Sequence, residues 1–387
     1  MGKEARETET GITTGELCAK EAHGFSLVSI TYTPLYNLQR ELGATFAEKH
    51  NGWQLPVQYT DTIEEHNAVR SDVGIADLSY LGILKLMGDD RAKYLHRLIS
   101  NDVEGLSVGE GNYATLLTNR GKIIADLRVY NLKDEILVST APENCEVAYA
   151  ELDKYIIADD VELSIENDNI GVIAVYGPKS VELVSPFFDA EDLTSLPEYH
   201  SIVGEVNSEK IVCMKSHAVG ECGFHLYVNT DVLAGLWEKL IASRSHVLPI
   251  GWDALESLRI EAGTPRYGTE LTDSVIPLEA ELEDAIDFEK GCYIGQEIVA
   301  RMKYRGHPNR LLRGLVVESE HPLQQNSRIF NGEKDVGWVT SSTFSPTLGK
   351  PIALCYVRMA VTDEGSQVQI ESSDGLLNGT VVELPFI

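Results

Sequence analysis

The stretch richest in potential chemistry is Lys290-Gly291-Cys292-Tyr293-Ile294-Gly295-Gln296-Glu297, continuing through Ile298, Val299 and Ala300 to Arg301. A lysine two residues from a cysteine, with glycines on either side of the thiol, describes a backbone bend that presents sulfur beside a cation. That neighbour favours the thiolate, the form that acts as nucleophile or ligand. The other reading of Cys292 is a small buried hydrophobe in a tight turn. From Gln296 to Met302 the composition is helical, so the bend opens a helix whose free amides face the same spot.

Three further residues stand out by type and setting. Asp102 falls where a helix ends, so its carboxylate meets the negative end of the helix dipole. That placement suits a group that faces a developing cation or passes a proton, although a plain turn aspartate has the same signature. Arg259 lies in the otherwise apolar stretch Ser257-Leu258-Arg259-Ile260-Glu261-Ala262-Gly263. It requires a partner, either an internal acid such as Glu261 or an anionic ligand. Glu221, between Gly220 and Cys222-Gly223, is a carboxylate on a glycine-flexed loop. It is placed either to accept paired N–H donors from a heterocycle or to sit exposed in a hairpin.

Other chemistries find no support. The ten histidines form no H-E-x-x-H pattern, and no G-x-S-x-G, P-loop or G-x-G-x-x-G is present. The six cysteines, at 18, 145, 213, 222, 292 and 355, include no C-x-x-C pair, which fits a reducing compartment. With 32 basic against 60 acidic residues the formal net charge is −28. That balance argues against nucleic acid as the main ligand, because phosphate binding needs a basic face. No apolar run approaches the roughly 20 residues that span a bilayer, and residues 1–20 lack the apolar core of a signal peptide. A cytoplasmic protein without a membrane partner is expected.

The elements that must position these residues follow from periodicity. At 387 residues the chain is too long for one core. Residues 1–32 read as a flexible extension. Helices are expected over 38–50 and 62–72, with an extended segment at 52–59 between them. A strand at 82–87 precedes a helix capped by Asp89 or Asp90, whose Tyr94, Leu95, Leu98 and Ile99 share one face. Strands at 113–118 and 123–130 follow, joined by the turn Asn119-Arg120-Gly121-Lys122. The pattern recurs with a strand at 171–177, a helix at 179–187, strands at 211–216 and 224–228, and an Asp231-capped helix to residue 244. This weak repeat predicts two related α+β units. A helix at 252–262 comes next, stopped by Gly263. From Arg310 onward, short alternating strands separated by Asn331-Gly332, Asp374-Gly375 and Asn378-Gly379 predict a barrel or sandwich of about six strands.

Taken together, several segments resemble the glycine-cleavage T-protein (aminomethyltransferase) superfamily. They are Thr33-Pro34-Leu35-Tyr36, the Gly52–Tyr59 segment, Glu64-Glu65-His66, Ala76-Asp77-Leu78-Ser79, Asn101-Asp102-Val103, Leu258–Gly263, Ile276-Pro277-Leu278-Glu279 and Gly337–Gly349. The resemblance runs from about residue 33 to the end. Lys290–Arg301, and Gly121-Lys122, resemble instead the YgfZ-type folate-binding branch, which is tied to iron–sulfur cluster maintenance.

The resemblance implies an α+β fold: a three-domain cloverleaf of two ferredoxin-like units plus a C-terminal β-barrel, around a central hole that holds tetrahydrofolate. Its domains would be 33–165 with part of 245–305, then 166–244, then 310–387. It also implies tetrahydrofolate-dependent one-carbon (aminomethyl) transfer. In that role Asp102 is the catalytic aspartate that stabilises an iminium-like cation, while Glu221, Arg259 and Tyr113 contact the folate. Implied partners are folate, a one-carbon donor and a lipoyl carrier protein. The alternative is an accessory role in iron–sulfur cluster assembly, with Cys292 and Lys290 as the functional pair and an iron–sulfur protein as partner. The chain departs from T-proteins at Tyr80-Leu81, where they carry His-Met, and at Cys222 and His225, where they carry acids.

Overall fold

The computed structural model describes residues 30–387 except 51, 189, 244–245 and 374. Apart from residues 30–32, the expected N-terminal extension lies outside the described residues. Thr31–Tyr32 already pair in parallel with Trp53 and Gln54, in a three-stranded sheet completed by Thr45–Lys49.

That last strand corrects the helix expected over 38–50. The helix Tyr36–Glu41 stops because Gly43 takes φ +88°, and the chain turns back to pair antiparallel with Trp53–Gln58. The helix Thr62–Ser71 forms as expected, capped by Asp61, which accepts from the amides of Ile63 and Glu64.

Two larger sheets carry the repeat. A five-stranded antiparallel sheet orders Gly111–Leu117, Ile123–Asn131, Ile136–Thr140, Gly82–Met87 and Glu162–Ile165. The helices Arg91–His96 and Cys145–Asp153 bury Tyr94, Leu95, Ala148 and Leu152 against it. Asp90 makes no side-chain cap on the first of these helices; its carboxylate accepts from the amide of Asp160 instead.

A six-stranded sheet orders Ser201–Val206, Glu209–Ser216, Gly223–Asn229, Ile170–Tyr176, Val73–Asp77 and Val247–Pro249. The strand Val73–Asp77 comes from the front segment, so residues 33–165 supply strands to more than one sheet. The helix Thr230–Ala242 packs Leu233, Leu236, Trp237 and Leu240 on this sheet, an i, i+3, i+4, i+7 stripe. Its cap is Asn229 rather than Asp231: the Asn229 side chain accepts from the Asp231 amide. The helix expected over 179–187 is shorter, Ser180–Val184.

Residues 310–387 close into a six-stranded barrel, which decides between barrel and sandwich. Asn378-Gly379 is not a turn but the interior of the strand Gly375–Val382. A Cβ on Gly379 would lie 2.6 Å from Ile370 Cδ1, so the glycine there serves close packing.

The segment between the helix Trp252–Glu261 and the barrel wedges the lobes together. Leu271, Val275, Leu278 and Ile286 bury against Leu117 and Ile123 of the five-stranded sheet and against Leu312, Ile352 and Leu354 of the barrel.

Candidate active site

Where the two large sheets, the helix Trp252–Glu261 and the linker after it converge, they leave a cavity of about 870 Å³ counted to its open mouth. Trp252, Leu255, Glu256 and Arg259 face it from one side of the helix, at the spacing an α-helix requires. Asp126 and Arg128 face it from one side of their strand, two residues apart as strand geometry demands. Tyr176 and His225 reach it from the six-stranded sheet. Tyr80 and Leu81 do so from the turn after Val73–Asp77, and residues 264–267 complete the wall.

One end of the cavity is aromatic. His50 stacks on Tyr80 at 5.2 Å and meets Trp252 edge-on at 4.8 Å, while the Arg266 guanidinium sits 4.7 Å from the Trp252 ring centroid. His50 is fixed by a hydrogen bond between its Nδ1 and Glu143.

The other end is polar and only partly satisfied. The Tyr113 hydroxyl donates to Asp126 Oδ2 at 3.1 Å and Arg128 donates to the same oxygen at 3.3 Å, leaving buried Asp126 Oδ1 without a partner among the described residues. His225 Nε2 is bonded to the Tyr176 hydroxyl at 2.6 Å, and its buried Nδ1 has no partner among the described residues. Burial, helped by the charge of Arg128, pushes His225 down to about 3, so the imidazole is neutral at physiological pH. Three residues of the cavity wall, Asp126, His225 and Arg266, each carry a buried polar atom (Oδ1, Nδ1 and Nε) without a partner among the described residues, which marks a place where a polar ligand completes the hydrogen bonding.

Arg259 lines this cavity, and its charge is spent inside the protein. Nε and Nη2 clasp both Glu256 oxygens at 2.9 and 2.6 Å, and Nη1 donates to Glu270 at 2.9 Å and to the Thr264 carbonyl at 3.1 Å. A second Nη2 hydrogen reaches Ser341 of the barrel. All five guanidinium donors are therefore engaged. The expected internal partner, Glu261, is replaced by Glu256 and Glu270. Burial alone would raise Glu256, but the charge and hydrogen bonds of Arg259 outweigh it and hold the carboxyl at about 2.

Glu261 anchors a second network. It accepts from His66 Nε2 at 2.8 Å and Arg70 Nη2 at 2.6 Å, and from Ser345 and Thr347 of the barrel. Arg70 Nη1 in turn reaches Glu221 at 3.1 Å. Glu221 thus stands half-buried on a turn that Gly220 makes at φ +77°, next to Ala218 and Val219, which line the cavity.

Asp102 is not among the residues lining the cavity. Its loop is joined to the strand that carries Tyr113 by Asn101 Nδ2 donating to the Tyr113 carbonyl at 2.8 Å. The carboxylate, 38% exposed, pairs with His96 Nδ1 at 2.8 Å. Ser100 Oγ donates to the Ala285 carbonyl at 2.6 Å, and Asn112 holds the carbonyl of Asp102 itself.

Lys290 serves this loop rather than the thiol. Its ammonium donates to the carbonyls of His96, Ile99 (2.9 Å) and Asn101 (2.7 Å), closing the end of the helix Arg91–His96. Burial lowers Lys290 to about 8, against the pull of Asp102 and Asp287. Cys292 is exposed, and the hydrogen bonds of the Lys290 ammonium run to three backbone carbonyls at this helix end. The bend does open a helix, Gln296–Arg305, from Gly295 at φ +87°.

Sequence reasoning missed Asp126, Arg128, His225, Trp252 and Glu270. The i, i+2 acid–base pair inside the apolar strand 123–131 was a usable signal. Glu270, in an irregular linker, offered none.

A chain whose two large sheets, connecting helix and linker converge on a half-satisfied polar cavity belongs with small-molecule enzymes. Comparison with known proteins narrows the class. Residues 35–290 match the GCVT N-terminal domain, and residues 310–387 match the glycine cleavage T-protein C-terminal barrel domain. The chain is 32% identical over 370 residues to the aminomethyltransferase of Cutibacterium acnes, covering 93% of this chain and 99% of that one. It is 34% identical over 379 residues to that of Symbiobacterium thermophilum, covering 92% and 97%. The crystal structure of the glycine cleavage system aminomethyltransferase T from Bartonella henselae superposes with a TM-score of 0.85 at 26% identity, over 93% of this chain and 98% of that one. The chain belongs to the glycine cleavage T-protein family of aminomethyltransferases.

Proposed function

We propose that the protein transfers a one-carbon unit from an aminomethyl donor, carried on a lipoyl protein, to tetrahydrofolate bound in the cavity. The observation that carries this is the pair of buried atoms Asp126 Oδ1 and His225 Nδ1, unpartnered among the described residues and carried by two residues that line an aromatic-walled cavity, in a chain matched over nine-tenths of its length by aminomethyltransferases. A reduced pterin is rich in N–H donors, which a buried carboxylate oxygen accepts, and Tyr80, Tyr176 and Trp252 offer flat apolar walls to its rings. Tetrahydrofolate supplies the nitrogens that receive the carbon.

The chain's own residues then have separate duties. Asp126 and His225 orient the ligand, Tyr113 and Arg128 hold Asp126, and Glu221 closes the loop at the cavity's edge through Arg70. Asp102 lies outside the cavity lining, on a rigidly held loop joined to the Tyr113 strand; its accessible carboxylate is the acid that stabilises positive charge where the reacting end of the bound ligand extends beyond the cavity. Arg259 maintains the cavity wall rather than gripping the ligand, since it has no donor to spare.

The aminomethyltransferase matches do not support the iron–sulfur accessory role, and the Lys290 ammonium is occupied at the Asp102 loop. Calorimetric titration of tetrahydrofolate into wild type and Asp126→Asn tests the binding site, with at least tenfold weaker binding expected in the variant. Equal affinity would remove the cavity from the proposal. In a glycine-cleavage assay, Cys292→Ala should keep full turnover, and loss of turnover there would revive the thiol-based role.

A further inference from the structure

Outside the cavity, one pair of side chains has the geometry of an activated nucleophile. Lys215, on the strand Glu209–Ser216, is 6% exposed, and buried lysines require a polar partner. Its partner here is a sulfur: Lys215 Nζ donates to Cys222 Sγ at 2.9 Å, and no carboxylate pairs with it among the described residues. The face of Phe224 lies 4.5 Å from the ammonium on the opposite strand and holds it in place. Ser180 Oγ approaches the same sulfur at 3.5 Å. The remaining described thiols differ. Cys145, Cys213 and Cys355 are buried with their thiols pushed upward by burial, and Cys292 is exposed with its neighbouring lysine engaged elsewhere. Among the described thiols, Cys222 alone combines partial exposure with a direct hydrogen bond from a lysine.

We infer that Cys222, activated by Lys215, is a peroxide-sensitive modification site that regulates the cavity's edge. The sulfur attacks a hydroperoxide oxygen; the S–O bond forms as the O–O bond breaks, and the departing oxygen takes the proton shared with Lys215 and leaves as water or alcohol. Sulfur is oxidised to the sulfenic acid and the peroxide is reduced, so nothing further is consumed. Cys222 directly follows Glu221, and its carbonyl is pinned by the Gly177 amide at 2.9 Å. An added oxygen between Lys215 and Ser180 has to displace this turn, and with it the contact of Glu221 with Arg70. This coupling rests on the proposed role of Glu221 at the folate site; the chemistry at Cys222 does not.

The test treats the full chain with substoichiometric hydrogen peroxide in the presence of dimedone and maps the adduct by mass spectrometry. Cys222 should label at least tenfold faster than Cys292. Lys215→Met should lower that rate at least tenfold while Lys215→Arg retains most of it, with circular dichroism confirming that both fold. Faster labelling of Cys292, or a folded Lys215→Met with an unchanged Cys222 rate, overturns the site. In the second arm, peroxide should weaken tetrahydrofolate binding at least threefold in wild type, reversibly with dithiothreitol, and leave Cys222→Ser unaffected. Labelling without any change in affinity overturns the regulatory coupling. A reduced protein that never binds folate instead overturns the cavity assignment and leaves the labelling result standing.

Discussion

Asp102 presents its carboxylate to solvent from a loop held on both flanks, so Asp102→Asn removes a charge while the backbone stays fixed by Ser100, Asn101 and Asn112. Turnover in the glycine-cleavage assay should fall about 10²–10⁴-fold, with tetrahydrofolate affinity within twofold of wild type. Loss of affinity would instead make it a binding residue. Arg259 has the opposite profile. Arg259→Met strands Glu270 in the interior and leaves Glu256 only Arg266, and urea denaturation should show a loss of about 3–5 kcal/mol, the usual cost of halving a buried ion pair. That Arg259 required a partner was legible from a lone cation in an apolar helix. Which partner was not, because Glu270 comes from an irregular linker and Ser341 from another lobe.

The helix end at His96 depends on a residue far along the chain. As pH rises through about 8 the Lys290 ammonium loses a proton, and the three carbonyls it serves are left to share two N–H donors. Turnover should therefore carry an alkaline limb near pH 8 that is absent in Lys290→Arg, whose guanidinium keeps its protons. Unfolding runs the other way. The folded pKa lies below the free lysine value of 10.5, so the unfolded chain binds more protons between the two and stability rises with pH across that window. A wild-type limb caused by unfolding would show as falling Tm and refute the assignment. In the barrel, Gly379→Ala should cost about 1–3 kcal/mol by crowding Ile370 and Leu315, read as a lower denaturation midpoint. The same dipeptide shows where pattern reading fails: Asn-Gly marks a turn by backbone freedom, whereas here the glycine is selected for missing bulk inside a strand.

At the scale of the whole molecule, the helix Trp252–Glu261 and its linker join the lobes through buried charge. Burial would raise Glu261, but hydrogen bonds from His66, Ser345 and Arg70 hold it at about 2, and Glu256 is held equally low. Both folded values lie below the free value of 4.5, so this stabilisation is complete above pH 4.5 and is lost as pH falls toward 2. Thermal melts should show Tm dropping across that window, less steeply in Glu261→Gln. A net charge of −28 also repels itself. Tm should climb with potassium chloride between 0.1 and 1 M, as the Debye length shortens from about 10 to about 3 Å. By itself the sequence determined the local elements: the stripe of Tyr94, Leu95, Leu98 and Ile99 after the strand at 82–87, the helix opened by Gly295 and the alternating strands of the barrel, because periodicity records which face of an element is buried. Only the tertiary structure decided what each face meets: Lys290 at the Asp102 loop rather than Cys292, Glu261 with His66 and Arg70 rather than Arg259, and Asp126 beside His225. A buried charge declares in the sequence that it needs a partner, but the identity of that partner depends on how segments as many as 195 residues apart are brought together.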